Sequence, residues 1–238
     1  MEVWKMKSIY ENGKYLESNR TWHAEDSEWK AQKIARIAEK NEIHPRSILE
    51  VGCGAGGILR SLQRTAYFHG VKFVGYDISP QAIAMANKEC TPGISFVNED
   101  ILENKEIYFD ILLLIDVFEH IEDYMGFLKK CRNKAEYKIF HIPLDIHASA
   151  VIRNSFINGR YSLGHLHYFT ADSALATLRD TGYEIVDTYY TNPTFGLFRQ
   201  HPSIKTAIAN GPRWLLSWLS VAFSARMLGG YSLLVLAK

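Results

Sequence analysis

A chain of 238 residues is long enough for one α/β domain with insertions. Its 47% hydrophobic, 22% charged and 13% aromatic composition is that of a globular protein, and excludes a disordered or fibrous class. A formal net charge of +1 and the lack of a long basic run give no electrostatic reason to expect a nucleic-acid partner.

Residues 24–40 read as a helix, with Ala31, Ile34, Ala35 and Ala38 on one face. Ser47–Val51 reads as a first strand. It runs into a glycine-dense turn, Gly52-Cys53-Gly54-Ala55-Gly56-Gly57, and a helix is expected from there to about residue 66. Val71–Tyr76 is a second strand. Ser79-Pro80 then starts a helix, with serine as N-cap and proline at the first helical position. Ile94–Asn98 is a short third strand. Phe109–Ile115 is nearly all apolar, as a central strand buried on both faces should be.

A helix is expected from about Ile121, with Ile121, Tyr124, Met125 and Leu128 on one face. Tyr137–Ile142 is a fifth strand. The rhythm breaks at Pro143, and irregular sequence runs to Phe169. A helix from about Thr170 to Thr181 ends at Gly182, and a strand follows at Tyr183–Tyr190. The chain then departs over residues 192–228 before a final strand near Gly230–Ala237. Such alternation predicts a mostly parallel α/β sheet with helices on both faces, and its ending suggests an antiparallel sixth/seventh strand pair. The whole chain, 1–238, is expected to be a single domain. It would carry an N-terminal cap helix at about 20–40 and insertions at about 143–169 and 192–228.

A glycine turn between strand and helix is where doubly wound sheets bind nucleotides. Two ligand classes fit it. Gly52-x-Gly54-x-x-Gly57, with Asp77 about 20 residues on, matches a dinucleotide fingerprint. Read as Glu50-x-Gly52-x-Gly54-x-Gly56, the same residues resemble the first motif of class I S-adenosylmethionine-dependent methyltransferases. The following strand ends decide between them: Tyr76-Asp77-Ile78, Asn98-Glu99-Asp100-Ile101 and Asp116-Val117-Phe118-Glu119-His120. In order and spacing they resemble the methyltransferase motif series, whereas a NAD-binding reading gives no reason for the last two.

The resemblance implies a Rossmann-like seven-stranded sheet and S-adenosylmethionine as cofactor. By it Asp77 holds the ribose hydroxyls, Ile78 packs on adenine and Asp100 contacts the adenine amino group. Asp116 and Val117 line the methionine end. Glu50, Gly52, Cys53, Gly54, Gly56 and Ile101 complete the cofactor-binding set. Methyl transfer needs a positioned nucleophile, exclusion of water and in some cases a base, but no enzyme nucleophile.

His120, His165 and His167 are the candidate bases, the last two on one side if Gly164–Thr170 is extended. No metal is assigned, although Asp116, Glu119 and His120 carry suitable donors. Trp29 reads as core and Lys30 as solvated, with contact to the cofactor carboxylate as the alternative role for Lys30. Trp22 and His23 belong to a region that closes over the cofactor in the family. Arg153, Phe156, Arg160 and Tyr161 mark the 143–169 insertion as the candidate acceptor pocket.

Residues 212–226 are apolar nearly all round a helix, yet the stretch between Arg213 and Arg226 is too short to span a bilayer. Packing against the sheet or the 143–169 insertion is the plain expectation. A dimer surface or a peripheral membrane contact are the alternatives. Three scattered cysteines and no signal-peptide pattern suit a cytoplasmic protein. The expected function is methylation of a small-molecule acceptor, at oxygen. A sugar or a lipid-linked intermediate is the alternative acceptor, and a non-catalytic nucleotide- or NAD-binding protein the alternative class.

Overall fold

The computed structural model describes residues 24–103, 106–193 and 204–238. Trp22 and His23 therefore lie outside the described residues. A seven-stranded sheet forms the centre: β1 (Ser47–Val51), β2 (Lys72–Tyr76), β3 (Ile94–Val97), β4 (Phe109–Ile115), β5 (Ala135–Pro143), β6 (Ile185–Thr191) and β7 (Ser232–Ala237). Its order is β3-β2-β1-β4-β5-β7-β6. The first five strands are parallel, and β7 runs antiparallel to both β5 and β6. This is the architecture expected from the sequence.

Strand alternation splits the core into two layers. One buries Leu49, Leu112, Leu114, Phe118 and Phe140 beneath helices α4 (Tyr124–Cys131) and α7 (Ala171–Asp180). The other buries Ile48, Ile111, Leu113 and Ile139 beneath α1 (Ser27–Lys40) and α2 (Gly57–Gln63). Trp29 of α1 is core, at 7% exposure.

Helix starts follow local chemistry. The Ser79 hydroxyl accepts from the Ala82 N–H, with Pro80 opening α3 (Pro80–Lys88). Thr170 and Ser173 form a reciprocal capping box at α7. The helix expected from Ile121 begins instead at Tyr124. Phe118–His120 makes a 3₁₀ turn, and Asp123 supplies the cap by accepting from Gly126 N at 2.9 Å. Helix α2 ends at Gln63, short of residue 66, and a separate 3₁₀ turn covers Ala66–Phe68.

The two insertions are helical where described. Residues expected to be irregular hold α5 (Ala148–Ile152) and α6 (Phe156–Ser162). The late excursion holds α8 (Ile204–Leu219) and α9 (Val221–Leu228), which pack on each other, and α9 lies beside α5.

Candidate active site

The candidate site gathers at the carboxyl ends of β1 to β5. Gly52 N and Cys53 N both donate to Tyr76 O, at 2.8 and 3.1 Å, which ties the turn to β2. Gly54 takes φ +53°, a region that penalises any side chain. Its N–H donates to Asp77 Oδ2 at 2.9 Å, while Asp77 Oδ1 accepts from Ser79 N at 2.8 Å. The acid that follows the second strand thus orders the glycine turn. Burial pushes the Asp77 carboxyl up, and the two backbone donors partly offset it.

Gly56 is needed for a different reason. A Cβ there would strike the Phe96 ring, and Gly56 lies outside the cavity lining. Burial also pushes the Cys53 thiol well up.

A buried charge cluster lies across the β4 end. Lys30 Nζ sits 2.8 Å from Asp26 Oδ2 and 2.9 Å from Asp116 Oδ2. Asp116 Oδ1 accepts from His141 Nδ1 at 2.7 Å, and His141 Nε2 meets Thr191 Oγ1 at 2.9 Å. Burial alone would push the Asp116 carboxyl up. His141 and Lys30 outweigh it and hold that carboxyl well below the usual carboxylate range. Burial would likewise push the Lys30 ammonium down, but Asp116 and Asp26 outweigh it and raise it. Lys30 is therefore a bridge, not a solvated lysine, because two carboxylates, Asp26 before α1 and Asp116 at the β4 end, converge on its ammonium. Glu50, 2% exposed, keeps Oε2 without a hydrogen-bond partner among the described residues. Burial raises its pKa well above the carboxylate norm, partly offset by Lys30.

The histidines separate. His120 Nδ1 donates to Gly164 O at 3.1 Å, and His165 Nδ1 to Asp145 Oδ2 at 2.6 Å. Their rings meet edge to face with centroids 4.9 Å apart. His167 turns away. Its Nε2 donates to Ile121 O at 3.0 Å, its ring packs on Tyr124, and it does not line the cavity. The backbone explains this: Leu166 N and His167 N both donate to Glu119 O, at 2.8 and 3.1 Å, so the segment is pinned rather than a free extended strand.

The Glu119 side chain is fully buried, and neither of its oxygens has a hydrogen-bond partner among the described residues. Burial, with Asp116 adding to it, raises its pKa well above normal. Donor atoms of Glu119, His120 and His165 all lie within 4.8 Å of one another, close enough to ligate one cation.

A cavity of about 770 Å³ joins these parts. Gly52, Gly54, Asp77, Ile78, Asp100 and Ile101 line it, as do Glu50, Cys53, Asp116, Val117, His120 and His165. Arg153, Phe156, Arg160 and Tyr161 do not; the insertion contributes Pro143, Leu163 and His165 instead. His141 and Asp145 escaped the sequence reading. A histidine inside Ile139-Phe140-His141-Ile142, an otherwise apolar run, was the available signal for the first.

The methyltransferase domain family model matches residues 21–188. The chain belongs to that family. Among curated proteins it is 27% identical over 107 residues to norajmaline N-methyltransferase of Rauvolfia serpentina, covering 42% of this chain and 36% of the relative. It is 33% identical over 88 residues to a ubiquinone biosynthesis O-methyltransferase of Bradyrhizobium diazoefficiens, covering 35% and 33%. Both matches thus span only about a third of the relative's length. Among solved structures, magnesium protoporphyrin IX methyltransferase from Synechocystis PCC 6803, with SAH bound, aligns at a TM-score of 0.58 and 15% identity, covering 88% of this chain and 81% of that one. Membership assigns S-adenosylmethionine as the cofactor of this methyltransferase domain, and the structural likeness confirms the fold.

Proposed function

We propose that this protein transfers the methyl group of S-adenosylmethionine to a small-molecule acceptor at oxygen. The observation that carries the reading is one continuous cavity, lined both by the glycine turn with Asp77 and by His165 held on Asp145. Its volume is in the range of small-molecule sites.

In this reading Asp77 accepts from the ribose hydroxyls with the lone pairs its two backbone donors leave open. Ile78 packs on adenine, and Asp100, whose Oδ1 already accepts from Leu102 N at 3.0 Å, faces the adenine amino group with its other oxygen. Glu50 Oε2, lacking a partner beneath the turn, takes a donor from the cofactor. Asp116 and Val117 border the methionine end. The sulfonium supplies an activated methyl group.

The protein contributes alignment of the acceptor and exclusion of water. As the acceptor oxygen took the methyl group from the sulfur, which would keep the bonding pair, the acceptor proton would pass to an imidazole of this chain. His165 suits that role because Asp145 holds its Nδ1–H and leaves Nε2 as acceptor. His120 is the second candidate. His167, committed to Ile121 O outside the cavity, is the weakest of the three.

A second reading is favoured by the two Glu119 oxygens, which no hydrogen bond satisfies and of which Oε1 lies 4.0 Å from His120 Nε2: Glu119, His120 and His165 hold a divalent cation that orients the acceptor oxygen. The test is a panel of phenols, sugars and lipid intermediates incubated with cofactor, reading S-adenosylhomocysteine release with and without chelator. Turnover on a phenol or another small hydroxyl compound supports the proposal. Cofactor binding with no turnover on any acceptor argues for a non-catalytic binding protein. Loss of turnover on chelation, restored by a divalent ion, selects the metal reading over the free base.

A further inference from the structure

Every one of the 26 acidic residues of the chain lies outside residues 146–171 and 188–238. Among the described residues, every exposed large apolar side chain except Tyr108 and Val186 lies inside those same two segments. Ile152 and Tyr161 are each 83% exposed on one, and Trp218 and Leu219 are 74% and 80% exposed on the other. The plain expectation that 212–226 packs against the sheet or the insertion is met on one side only, where α9 lies beside α5. Ser224 and Ala225 are buried, while Trp214, Leu215, Trp218 and Leu219 face outward.

The segments are neighbours in space. Ser149 Oγ of α5 donates to Leu228 O of α9 at 3.3 Å, and a side chain at Gly229 would collide with His147. The apolar surface also reaches the cavity, since Leu163 is both 39% exposed and part of its lining.

We propose that this face docks on an anionic lipid bilayer, with α8 and α9 lying in the interfacial plane beside α5 and α6. Charge supports the choice of occupant: Arg153 and Arg160 are exposed, neither segment carries a carboxylate of its own, and the one acid bonded to α9, Asp172, is matched by Arg226 at 2.6 Å. A second copy of the chain is disfavoured by the same fact, because a two-fold contact would set the arginines of one copy against those of the other. No helix among the described residues is long and apolar enough to cross a membrane, so the contact is in-plane. Exposed tryptophans of α8, Trp214 and Trp218, suit the headgroup depth.

The test is flotation of the full chain with neutral phosphatidylcholine vesicles and with vesicles containing about one third phosphatidylglycerol. The protein should float with the anionic vesicles, far less with the neutral ones, and should be released by salt. Its tryptophan emission should shift to the blue on binding. The double substitution Trp218→Glu/Leu219→Glu should reduce flotation about 10-fold or more, with cofactor affinity unchanged because neither residue lines the cavity. A parent protein that stays at the bottom of the gradient with anionic vesicles overturns the proposal, as does flotation retained by the double variant. A concentration-dependent dimer dispersed by the same two substitutions, with no vesicle binding, assigns the face to a second copy and also overturns it. Vesicle binding is read without turnover, so it stands or falls separately from the acceptor reading.

Discussion

Lys30 Nζ, on the first described helix, lies 2.9 Å from Asp116 Oδ2 at the end of the central strand. One ammonium therefore fastens α1 across the edge of the sheet where the cavity opens. The pair is largely withdrawn from solvent, with Lys30 11% and Asp116 26% exposed at the side chain. Lys30→Met would leave Asp26 and Asp116 facing each other without their cation. Removing one partner of a buried pair costs about 3–5 kcal/mol. Chemical denaturation should show a loss of that order. A loss below about 1 kcal/mol, the range of surface pairs, would mean the bridge is solvated.

Glu119 makes a pH prediction with a definite sign. Its folded pKa is raised by burial above the ordinary 4.5. The folded state then binds the proton more tightly than the unfolded chain, and this contribution is fully present below about pH 4.5. It is lost as pH rises from there through the folded value. In chelator, melting temperatures of parent and Glu119→Gln should diverge as pH rises, the neutral variant gaining on the parent. Curves that stay parallel between pH 5 and 8 would show that Glu119 finds a partner the structure does not record.

Gly54→Val tests the turn. Its φ of +53° strains any side chain, and its place in the cavity wall would put a branched one where the cofactor is proposed to lie. Cofactor binding should collapse while circular dichroism stays that of the parent, since the turn sits on an edge of the sheet. Equal affinity in a folded variant would place the cofactor elsewhere.

The base is separable from binding. His165→Ala and Asp145→Asn should lower kcat by about 10²–10⁴-fold and 10-fold or more respectively, with cofactor affinity within a few-fold of the parent. His167→Ala should change kcat little, because that ring sits outside the cavity. Comparable loss in all three variants would point to damage of the 164–167 segment instead of general base catalysis.

What was readable in the sequence is what local chemistry dictates. Phe109–Ile115 announced a central strand because burial on both faces removes the need for alternation. Ser79-Pro80 and Thr170 announced helix starts because caps are local. The glycine turn was readable from its residues, and the acids at the strand ends from their resemblance to the methyltransferase motif series. His141 and Asp145 went unread as site residues, and Lys30 was read first as solvated. Their roles rest on partners far along the chain, with Lys30 meeting Asp116 and His141 meeting Thr191. His167 was misplaced because alternation assumes an extended segment, and two backbone bonds to Glu119 O bend it. The face that α8 turns outward was invisible for a related reason. A helix apolar all round does not say which side is covered.

The central claim is that Asp77 and the turn it orders hold S-adenosylmethionine. Titration calorimetry of the parent and of Asp77→Ala with S-adenosylmethionine, S-adenosylhomocysteine and NADH tests it most directly. The parent should bind both sulfur compounds and give no heat with NADH. Asp77→Ala should bind them about 10- to 150-fold more weakly, the loss of charge-assisted hydrogen bonds worth roughly 1.5–3 kcal/mol. Binding of NADH with no response to either sulfur compound, or an unchanged dissociation constant in a folded Asp77→Ala protein, would contradict the account.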